Sequence, residues 1–202
     1  IARDTRVRYG SRYRKINTLY SMGGEKEVAE KVTQLTGLPV HYYVTMDFRG
    51  FRKIIDVLGG VEFYVPFSMH YDDPTQNLHI HLRKGRQLLD GRKAEQLVRY
   101  RKGNFGQGYQ EGDIGRIRMQ HEFVKELVRQ KLSLKYISKL DELFAVIKEH
   151  VSTNITLNDI TSQIENLMKI NIDEIETYTI PGESRRINNV WYYIYAEEAL
   201  KE

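Results

Sequence analysis

The spacing of hydrophobic residues changes repeatedly along the chain between the period of a helix and the period of a strand. Helical segments carry apolar residues three and four positions apart, and strand segments are short and rich in β-branched and aromatic residues. This alternation predicts an α/β sandwich with at least one right-handed crossover. The predicted helices are residues 25–37, 51–58, 91–98, 114–132, 134–147 and 157–170, and the predicted strands are residues 40–48, 61–65, 78–82, 175–180 and 190–195.

Two segments lack either period and are predicted to be loops. Residues 67–76 form one of them, and residues 103–112, with four glycines, form the other. Either Asn154 or Thr156 can cap the helix predicted to follow. Because no repeat, low-complexity tract or linker divides residues 1–202, the pattern predicts a single domain.

Composition narrows the class of protein without naming it. A length of 202 residues with 41% hydrophobic and 29% charged residues is typical of a soluble globular fold. The net charge of +4 favours an anionic partner. The absence of cysteine excludes disulfides and thiolate chemistry. The first residues are typical of the end of a strand that enters a loop, so we expect chain upstream of Ile1.

Arginines are concentrated in residues 97–120, which contain only two carboxylates. Arg99 and Arg101 are two positions apart, and on an extended backbone this spacing directs both guanidinium groups to one side. On the helix that follows, Asp113, Arg116 and Gln120 share a face. Guanidinium groups bind phosphate oxygens bidentately and keep their charge, so such a cluster suits a diphosphate.

Other interpretations of the same residues stay open at this point. Asp113 can orient an arginine, accept a proton from an attacking hydroxyl, or act only as a helix cap. Arg116 and Gln120 can equally form a solvated helix face, and Arg118 falls on a different side of the helix.

Two histidines, His79 and His81, alternate along a predicted strand and therefore face one side of it. They suggest a metal pair, but no third ligand with suitable spacing accompanies them in the sequence. An exposed strand face is the favoured interpretation. The nearby Asp72 and Asp73 precede a proline and predict a turn.

Several ordered motifs resemble those of the LytR-CpsA-Psr (LCP) proteins of bacterial cell-wall assembly. The resemblance covers nearly the whole chain and is densest over residues 2–132. The motifs are ARDTRV at residues 2–7, KINTLYSMGG at 15–24, YYVTMDFRGFRKIIDVLGGVEFYVP at 42–66, L-x-K-G-x-Q-x-L-D-G at 82–91, VRYRKG and GDIGRIRMQ within 98–120, IPGES at 180–184 and VWYYIY at 190–195.

The resemblance implies an LCP-type three-layer α/β sandwich with a central mixed β-sheet flanked by helices. It also implies a phosphotransferase, anchored at the extracellular face of the cytoplasmic membrane by an N-terminal helix absent from this chain. Such enzymes move a glycopolymer (wall teichoic acid, capsular or secondary wall polysaccharide) from a polyprenyl-pyrophosphate carrier to peptidoglycan, with Mg²⁺ assisting.

The resemblance also implies roles for individual residues. The arginines that bind pyrophosphate in the family correspond to Arg3, Arg99, Arg101 and Arg116, and Asp113 and Gln120 match the polar positions beside them. We expect Arg99, Arg101, Asp113 and Arg116 to take part in catalysis. The family's magnesium-holding acidic residues lie upstream of the RDT motif, so no metal ligand is expected in this chain.

The carrier's isoprenoid tail requires an apolar tunnel. Residues with helical periodicity could line it or could simply form the core. The candidates are Phe48, Phe51, Ile54, Val57, Leu58, Leu97, Phe123, Val124 and Leu127.

Three functional classes therefore compete. A glycopolymer–peptidoglycan transferase is favoured, and a non-catalytic polyprenyl-phosphate-binding protein is the alternative. A nucleic-acid-binding module is suggested only by the basic charge, and the sequence lacks zinc-ligand spacing and strand motifs typical of nucleic-acid binders.

Overall fold

The computed structural model describes residues 1–131, 139–156, 158–159, 162–163, 166 and 169–200, in two compact units. The first unit comprises residues 1–45, 153–155 and 177–202, and the second comprises residues 46–152 and 156–176. The helices are α1 Ile16–Thr36, α2 Phe48–Val57, α3 Gly91–Arg99, α4 Asp113–Lys131 and α5 Leu140–His150. The strands are β1 Arg6–Tyr9, β2 Arg12–Lys15, β3 Val44–Met46, β4 Val61–Val65, β5 Met69–Asp73, β6 Leu78–Leu82, β7 Gly85–Leu89, β8 Val151–Thr153, β9 Gly182–Ile187 and β10 Val190–Tyr195.

The first unit packs α1 on the hairpin of β1 and β2. Val7, Ile16 and Leu19 form its buried cluster. The buried Thr5 donates its hydroxyl proton to the carbonyl of Ala2 at 2.6 Å, and its own carbonyl accepts from the Ile16 amide at 2.9 Å. The segment that precedes β1 is therefore fixed to the first turn of α1.

A second hairpin in the same unit joins β9 and β10 in antiparallel register. Tyr193 of β10 donates its amide proton to the carbonyl of Asp4 at 2.9 Å. Its hydroxyl donates to the carbonyl of Ile180 at 2.9 Å. Tyr193 is therefore held at both ends, and the backbone on either side of Thr5 is bonded within this unit.

The second unit is built on nested antiparallel pairs, with β5–β6 placed along the chain between β4 and β7. Strands β4 and β6 alternate strictly between buried and exposed residues, as expected for strands with one face in the core. Helices α3 and α4 cover the buried face. The core contains Ile55, Val61, Phe63, Val65, Met69, Leu78, Ile80, Leu82, Leu89, Ala94, Leu97, Tyr100, Met119 and Phe123.

Three strands were predicted with their observed bounds, and the elements are those of a mixed α/β fold. β4, β6 and β10 match the segments 61–65, 78–82 and 190–195. Helices α2, α3 and α4 match their predicted segments to within three residues at either end. The predicted parallel crossover and the division into one domain stay predictions.

Two predictions about this fold were wrong. Residues 67–76 are not a simple loop, because β5 occupies Met69–Asp73 and pairs with β6. Residues 175–180 lie outside any strand, and the strand follows at Gly182–Ile187 instead. β5 and β9 are polar, and their pairing with a more hydrophobic partner identifies them only in three dimensions.

Boundaries also moved where a side chain caps a helix. The strand expected at 40–48 is shortened to Val44–Met46. Its end is set by Asp47, which accepts a hydrogen bond from the Gly50 amide at 2.6 Å and caps α2. Thr156 rather than Asn154 forms a reciprocal pair with Asp159. The predicted helix 157–170, the start of 134–147 and residue 132 lie wholly or partly outside the described residues.

Among the described residues, no helix combines the length and the hydrophobicity that a membrane crossing requires.

Close approach of α2 and α3 depends on Gly91. A methyl group added there would lie 2.3 Å from the carbonyl oxygen of Arg52. We therefore expect Gly91→Ala to lower the free energy of unfolding by roughly 1–3 kcal/mol, measured by urea denaturation. The exposed Lys93→Ala on the same helix should change it by less than about 0.5 kcal/mol. Equal effects of the two substitutions would contradict this packing.

Candidate functional site

A buried carboxylate joins two arginines from neighbouring helices. Glu95 of α3 is 7% exposed. Its Oε1 accepts from Nη1 of Arg99, one turn further along α3, at 2.8 Å. Its Oε2 accepts from Nη1 of Arg52 on α2. Since one anion with little freedom bonds both guanidinium groups, their positions are fixed relative to each other.

The two helices are held together at the start of α3 as well. The carboxylate of Asp56 on α2 accepts from the Gly91 amide at 2.7 Å. Asp90 caps α3 by accepting from the Lys93 amide at 2.8 Å. Together with the backbone contact between Gly91 and Arg52, these bonds place the carboxylate of Glu95 beside α2.

Arg99 is fixed from a second direction by an aromatic ring. Its guanidinium carbon lies 4.6 Å from the centroid of Phe48, which begins α2. This distance is within the range of a cation–π interaction. With 21% of its side chain exposed, Arg99 is held between Phe48 and Glu95 and still reaches solvent.

These side chains surround a cavity of about 700 Å³. Three arginines, Arg52, Arg92 and Arg99, line it. The volume is that of a small-ligand site, and the cationic lining suits an anion with several oxygens. The other lining residues are Phe48, Asp56, Gln76, Asn77, Leu78, His79, Glu95 and Gln96.

The glycine-rich loop, residues 103–112, is flanked by a cluster of buried and partly buried aromatic residues. Tyr100, which follows Arg99, is fully buried and donates its hydroxyl proton to the carbonyl of Gln107 at 3.1 Å. The rings of Phe67 and Tyr109 pack against it at 6.0 and 5.9 Å. Burial raises the pKa of both Tyr100 and Tyr109, so both stay protonated at neutral pH. The base of the loop is therefore fixed.

Arg101 and Arg118 differ in their surroundings. Arg101 is exposed, and within the described part of the chain its side chain forms no ion pair. Arg118 pairs with Glu111 at 2.8 Å on the exposed side of α4. The prediction that Arg118 lies apart from the other helix residues agrees with this pair.

The residues predicted to share a face of α4 contact one another and α3. Asp113 Oδ1 and Arg116 Nη2 form an ion pair, with 25% and 19% of their side chains exposed. Gln120 donates its amide proton to the carbonyl of Val98 at 2.8 Å. Val98 immediately precedes Arg99, so Gln120 supports the end of α3 that carries the arginine.

Four of the five predicted pyrophosphate ligands, Gln120 among them, are not residues that line the cavity. Arg101 and Arg116 are not among the residues that line it, whereas Arg99 is. The extended conformation expected for both members of the first pair begins only at Tyr100, because Arg99 is the last residue of α3. Arg3 lies in the first unit, with 62% of its side chain exposed and its Nε 3.6 Å from Asp4.

The candidate lipid-contact residues divide into several groups. Leu97 and Phe123 are fully buried in the core. Phe51 and Leu127 are partly buried against that core, and Ile54, Val57 and Leu58 are also partly buried. Val124 is 53% exposed, and Phe48 lines the polar cavity. Core packing therefore accounts for Leu97 and Phe123, and a lipid contact by the others stays a prediction.

The histidine pair has a third neighbour that the sequence spacing did not indicate. His79 and His81 are exposed on β6, as predicted. Asp72, in the strand β5 that was predicted as a loop, lies beside both of them, and the three offer ligand atoms within 4.8 Å of one another. In the described part of the chain this is the one such group of three, and its two imidazoles suit Mg²⁺ poorly.

Sequence reasoning missed Arg52, Arg92 and Glu95. A local signal existed for one contact, since Glu95 and Arg99 are four residues apart on a predicted helix. The contact between Arg52 and Glu95 joins residues 43 positions apart and depends on how the helices pack.

Comparison with known proteins supports the family indicated by the motifs. The model of the LytR_cpsA_psr family matches residues 1–202, so the chain belongs to the LytR-CpsA-Psr family. TagV of Bacillus subtilis, named a polyisoprenyl-teichoic acid–peptidoglycan teichoic acid transferase, is 32% identical over 201 residues. The match covers 96% of this chain and 50% of TagV. TagU of the same organism, with the same activity in its name, is 28% identical over 93% of this chain and 58% of its own length.

Solved structures show the same fold. The crystal structure of B. subtilis TagV superposes with a TM-score of 0.80 at 29% identity, covering all of this chain and 77% of that one. A structure from Enterococcus faecalis, described as a transcriptional regulator, gives a TM-score of 0.82 at 25% identity over 99% of this chain and 71% of its own. The chain spans about half the length of the curated relatives it matches.

Removal of the charge on Glu95 tests its bridging role. In Glu95→Gln the two guanidinium groups lose their shared anion, and we expect the free energy of unfolding to fall by about 1–3 kcal/mol. Urea denaturation measures the change. As a matched control, Glu62→Gln breaks an exposed pair with Arg86 that is 3.8 Å long, and it should cost less than about 0.5 kcal/mol. An equal loss in both variants would argue against the bridge.

Proposed function

We propose that this chain carries the phosphotransferase site of an enzyme that attaches a glycopolymer to peptidoglycan. The donor is a polyprenyl-pyrophosphate-linked glycopolymer, and the product is a phosphodiester to a peptidoglycan hydroxyl. The observation that supports this most directly is the cavity in which Arg52, Arg92 and Arg99 converge. Membership of the LytR-CpsA-Psr family and the names of TagV and TagU point to the same reaction.

The cavity suits the diphosphate part of such a donor. Arg52 and Arg99 are already ordered by Glu95, so little conformational entropy is lost when they bind phosphate oxygens. Guanidinium groups keep their charge throughout the reaction. Because the lining is largely polar, the cavity fits the headgroup of the carrier rather than its isoprenoid tail.

The chemistry that these residues support is electrostatic. The oxygen of the acceptor hydroxyl attacks the phosphorus that bears the glycan, its proton is lost to solvent, and the bond from this phosphorus to the bridging oxygen breaks. Polyprenyl phosphate leaves with the additional negative charge. Arginines fixed beside the leaving phosphate stabilise that charge as it develops, which is the larger part of catalysis in phosphoryl transfer.

The residues of α4 and the loop complete the proposal. Arg101 and Arg116 do not line the cavity and are proposed as further contacts to the bound ligand, and Asp113 orients Arg116 through their ion pair. Gln120 holds the end of α3 in place. The role of Arg3 in binding pyrophosphate stays a prediction.

Mg²⁺ forms part of the proposed function, as the resemblance to the family implies. Mg²⁺ prefers carboxylate oxygens and water in octahedral geometry. No residue of this chain is assigned to Mg²⁺, and no step of the reaction is assigned to it.

The finer features of the proposal rest on the family alone. The enzyme acts at the extracellular face of the cytoplasmic membrane, and its polymer is a wall teichoic acid, a capsular polysaccharide or a secondary wall polysaccharide. A receptor that binds polyprenyl phosphates without catalysis would use the same arginines, and turnover separates the two functions.

Substitution of Arg99 tests the site directly. Arg99→Ala in the full-length protein should lower transfer of a labelled lipid-linked polymer to peptidoglycan oligomers by about 100-fold or more, since an arginine that stabilises transition-state charge is removed. Product formation is measured by gel shift in the presence of Mg²⁺. Binding of a short polyprenyl pyrophosphate, measured by calorimetry, should weaken in the same variant.

Arg118→Ala is the matched control, because it removes an arginine that pairs with Glu111 on the exposed side of α4. It should leave both binding and transfer near the level of the unaltered protein. Unaltered transfer by Arg99→Ala would refute the proposed site. Tight binding with no product in the unaltered full-length protein would instead establish the receptor.

Asp113→Asn tests whether this carboxylate orients Arg116 or removes a proton. If it orients, the variant should show weaker binding and a reduced rate with an unshifted pH profile, because only the ion pair is lost. The measurement is the pH dependence of kcat and KM. Unchanged ligand binding with abolished turnover and a shifted profile would assign Asp113 as the general base.

A further inference from the structure

Four polar side chains share the exposed face of the hairpin formed by β5 and β6. In its antiparallel register, Asp72 lies opposite His79 and His70 lies opposite His81. Opposite residues in such pairs have Cβ atoms roughly 4.5–5.5 Å apart. The fold therefore places three imidazoles and one carboxylate side by side, although they come from two separate stretches of sequence.

Three of these side chains have possible metal-ligand atoms close to one another. Asp72 Oδ1 is 2.6 Å from His79 Nδ1 and 3.1 Å from His81 Nε2. The three atoms all lie within 4.8 Å of one another. In a tetrahedral zinc site, bond lengths near 2.1 Å separate ligand atoms by roughly 3.4 Å. Binding therefore requires these two distances to lengthen by roughly 0.8 and 0.3 Å.

The backbone beneath two of the ligands is bonded to other elements. The side chain of Asn104, in the glycine-rich loop, accepts from the Asp72 amide at 2.7 Å and donates to the Asp72 carbonyl at 2.9 Å. Gln96 of α3 accepts from the His81 amide at 2.9 Å. These bonds hold Asp72 and His81 in place, so a ligand need not order the hairpin.

His70 orients one of the ligands. Its Nδ1 lies 3.5 Å from Nδ1 of His81, at the limit of a hydrogen bond. A metal-binding histidine usually donates its other ring N–H to an acceptor, which fixes the ring and its tautomer. When His81 Nδ1 donates to His70, Nε2 of His81 is the nitrogen left to bind a metal beside Asp72.

We propose that Asp72, His79 and His81 bind a divalent cation of the Zn²⁺ class, with His70 as a positioning residue and a fourth position open to water. Two imidazoles and a carboxylate are a donor set for zinc and related metals, whereas Mg²⁺ and Ca²⁺ select oxygen ligands. The ion replaces the protons that the His–Asp hydrogen bonds share. The inference does not rest on the proposed transferase activity, although the metal site shares His79 with the cavity of Arg99.

Calorimetry with Zn²⁺ on the tag-free chain tests the site. We expect one ion per chain, and a visible absorption of tetrahedral type when Co²⁺ is used instead. His79→Ala and His81→Ala should each weaken binding by about 100-fold or more, since each removes a direct ligand. Zn²⁺ should raise the Tm of the unaltered chain but not of these variants.

His41→Ala is the matched control, because His41 is exposed and is not one of the three clustered ligands. It should bind Zn²⁺ as the unaltered chain does. His70→Ala should weaken binding by about 10-fold and shift the Co²⁺ spectrum, with recovery in His70→Asn. Binding that survives in a His79→Ala/His81→Ala double variant, or no saturable binding up to about 1 mM, would overturn the proposal.

Discussion

The arrangement of the candidate site depends on one buried carboxylate. Glu95 is 7% exposed and is bonded by Arg52 from α2 and Arg99 from α3. Removing a charge from water is costly unless hydrogen bonds and opposite charges compensate it, and here two guanidinium groups do so. The same contact joins two helices and orders two cations, so the stability of the second unit and the geometry of its cavity are linked.

The net charge of the cavity lining depends on its arginines and on the groups that its two carboxylates bind. Glu95 is shared by two arginines, and Asp56 accepts from the backbone at the start of α3. Arg92 adds a third cation to the lining. The cavity lining therefore has more arginines than carboxylates. Arg52 and Arg99 are held in place before any ligand arrives, which is the condition under which electrostatic stabilisation is most effective.

Sequence reasoning succeeded where the determinants are local. β4 and β6 were found with their observed bounds because buried and exposed residues alternate along them. β5 was missed because its sequence, MHYDD, is polar, and only pairing with β6 identifies it as a strand. The site divides in the same way, since Asp113 and Arg116 are one helical turn apart, whereas Arg52 reaches Glu95 only after α2 and α3 pack.

Arg99 and Arg101, on either side of Tyr100, differ in how firmly their side chains are held. Arg99 is fixed between Phe48 and Glu95. Arg101 is exposed on a loop whose base is secured by Tyr100 and whose outer part includes Phe105, 94% exposed. Segments with few buried contacts are the ones that rearrange at low cost. Arg99 is therefore held in place before any ligand arrives, whereas the exposed side chain of Arg101 has no ion pair in the described part of the chain to hold it.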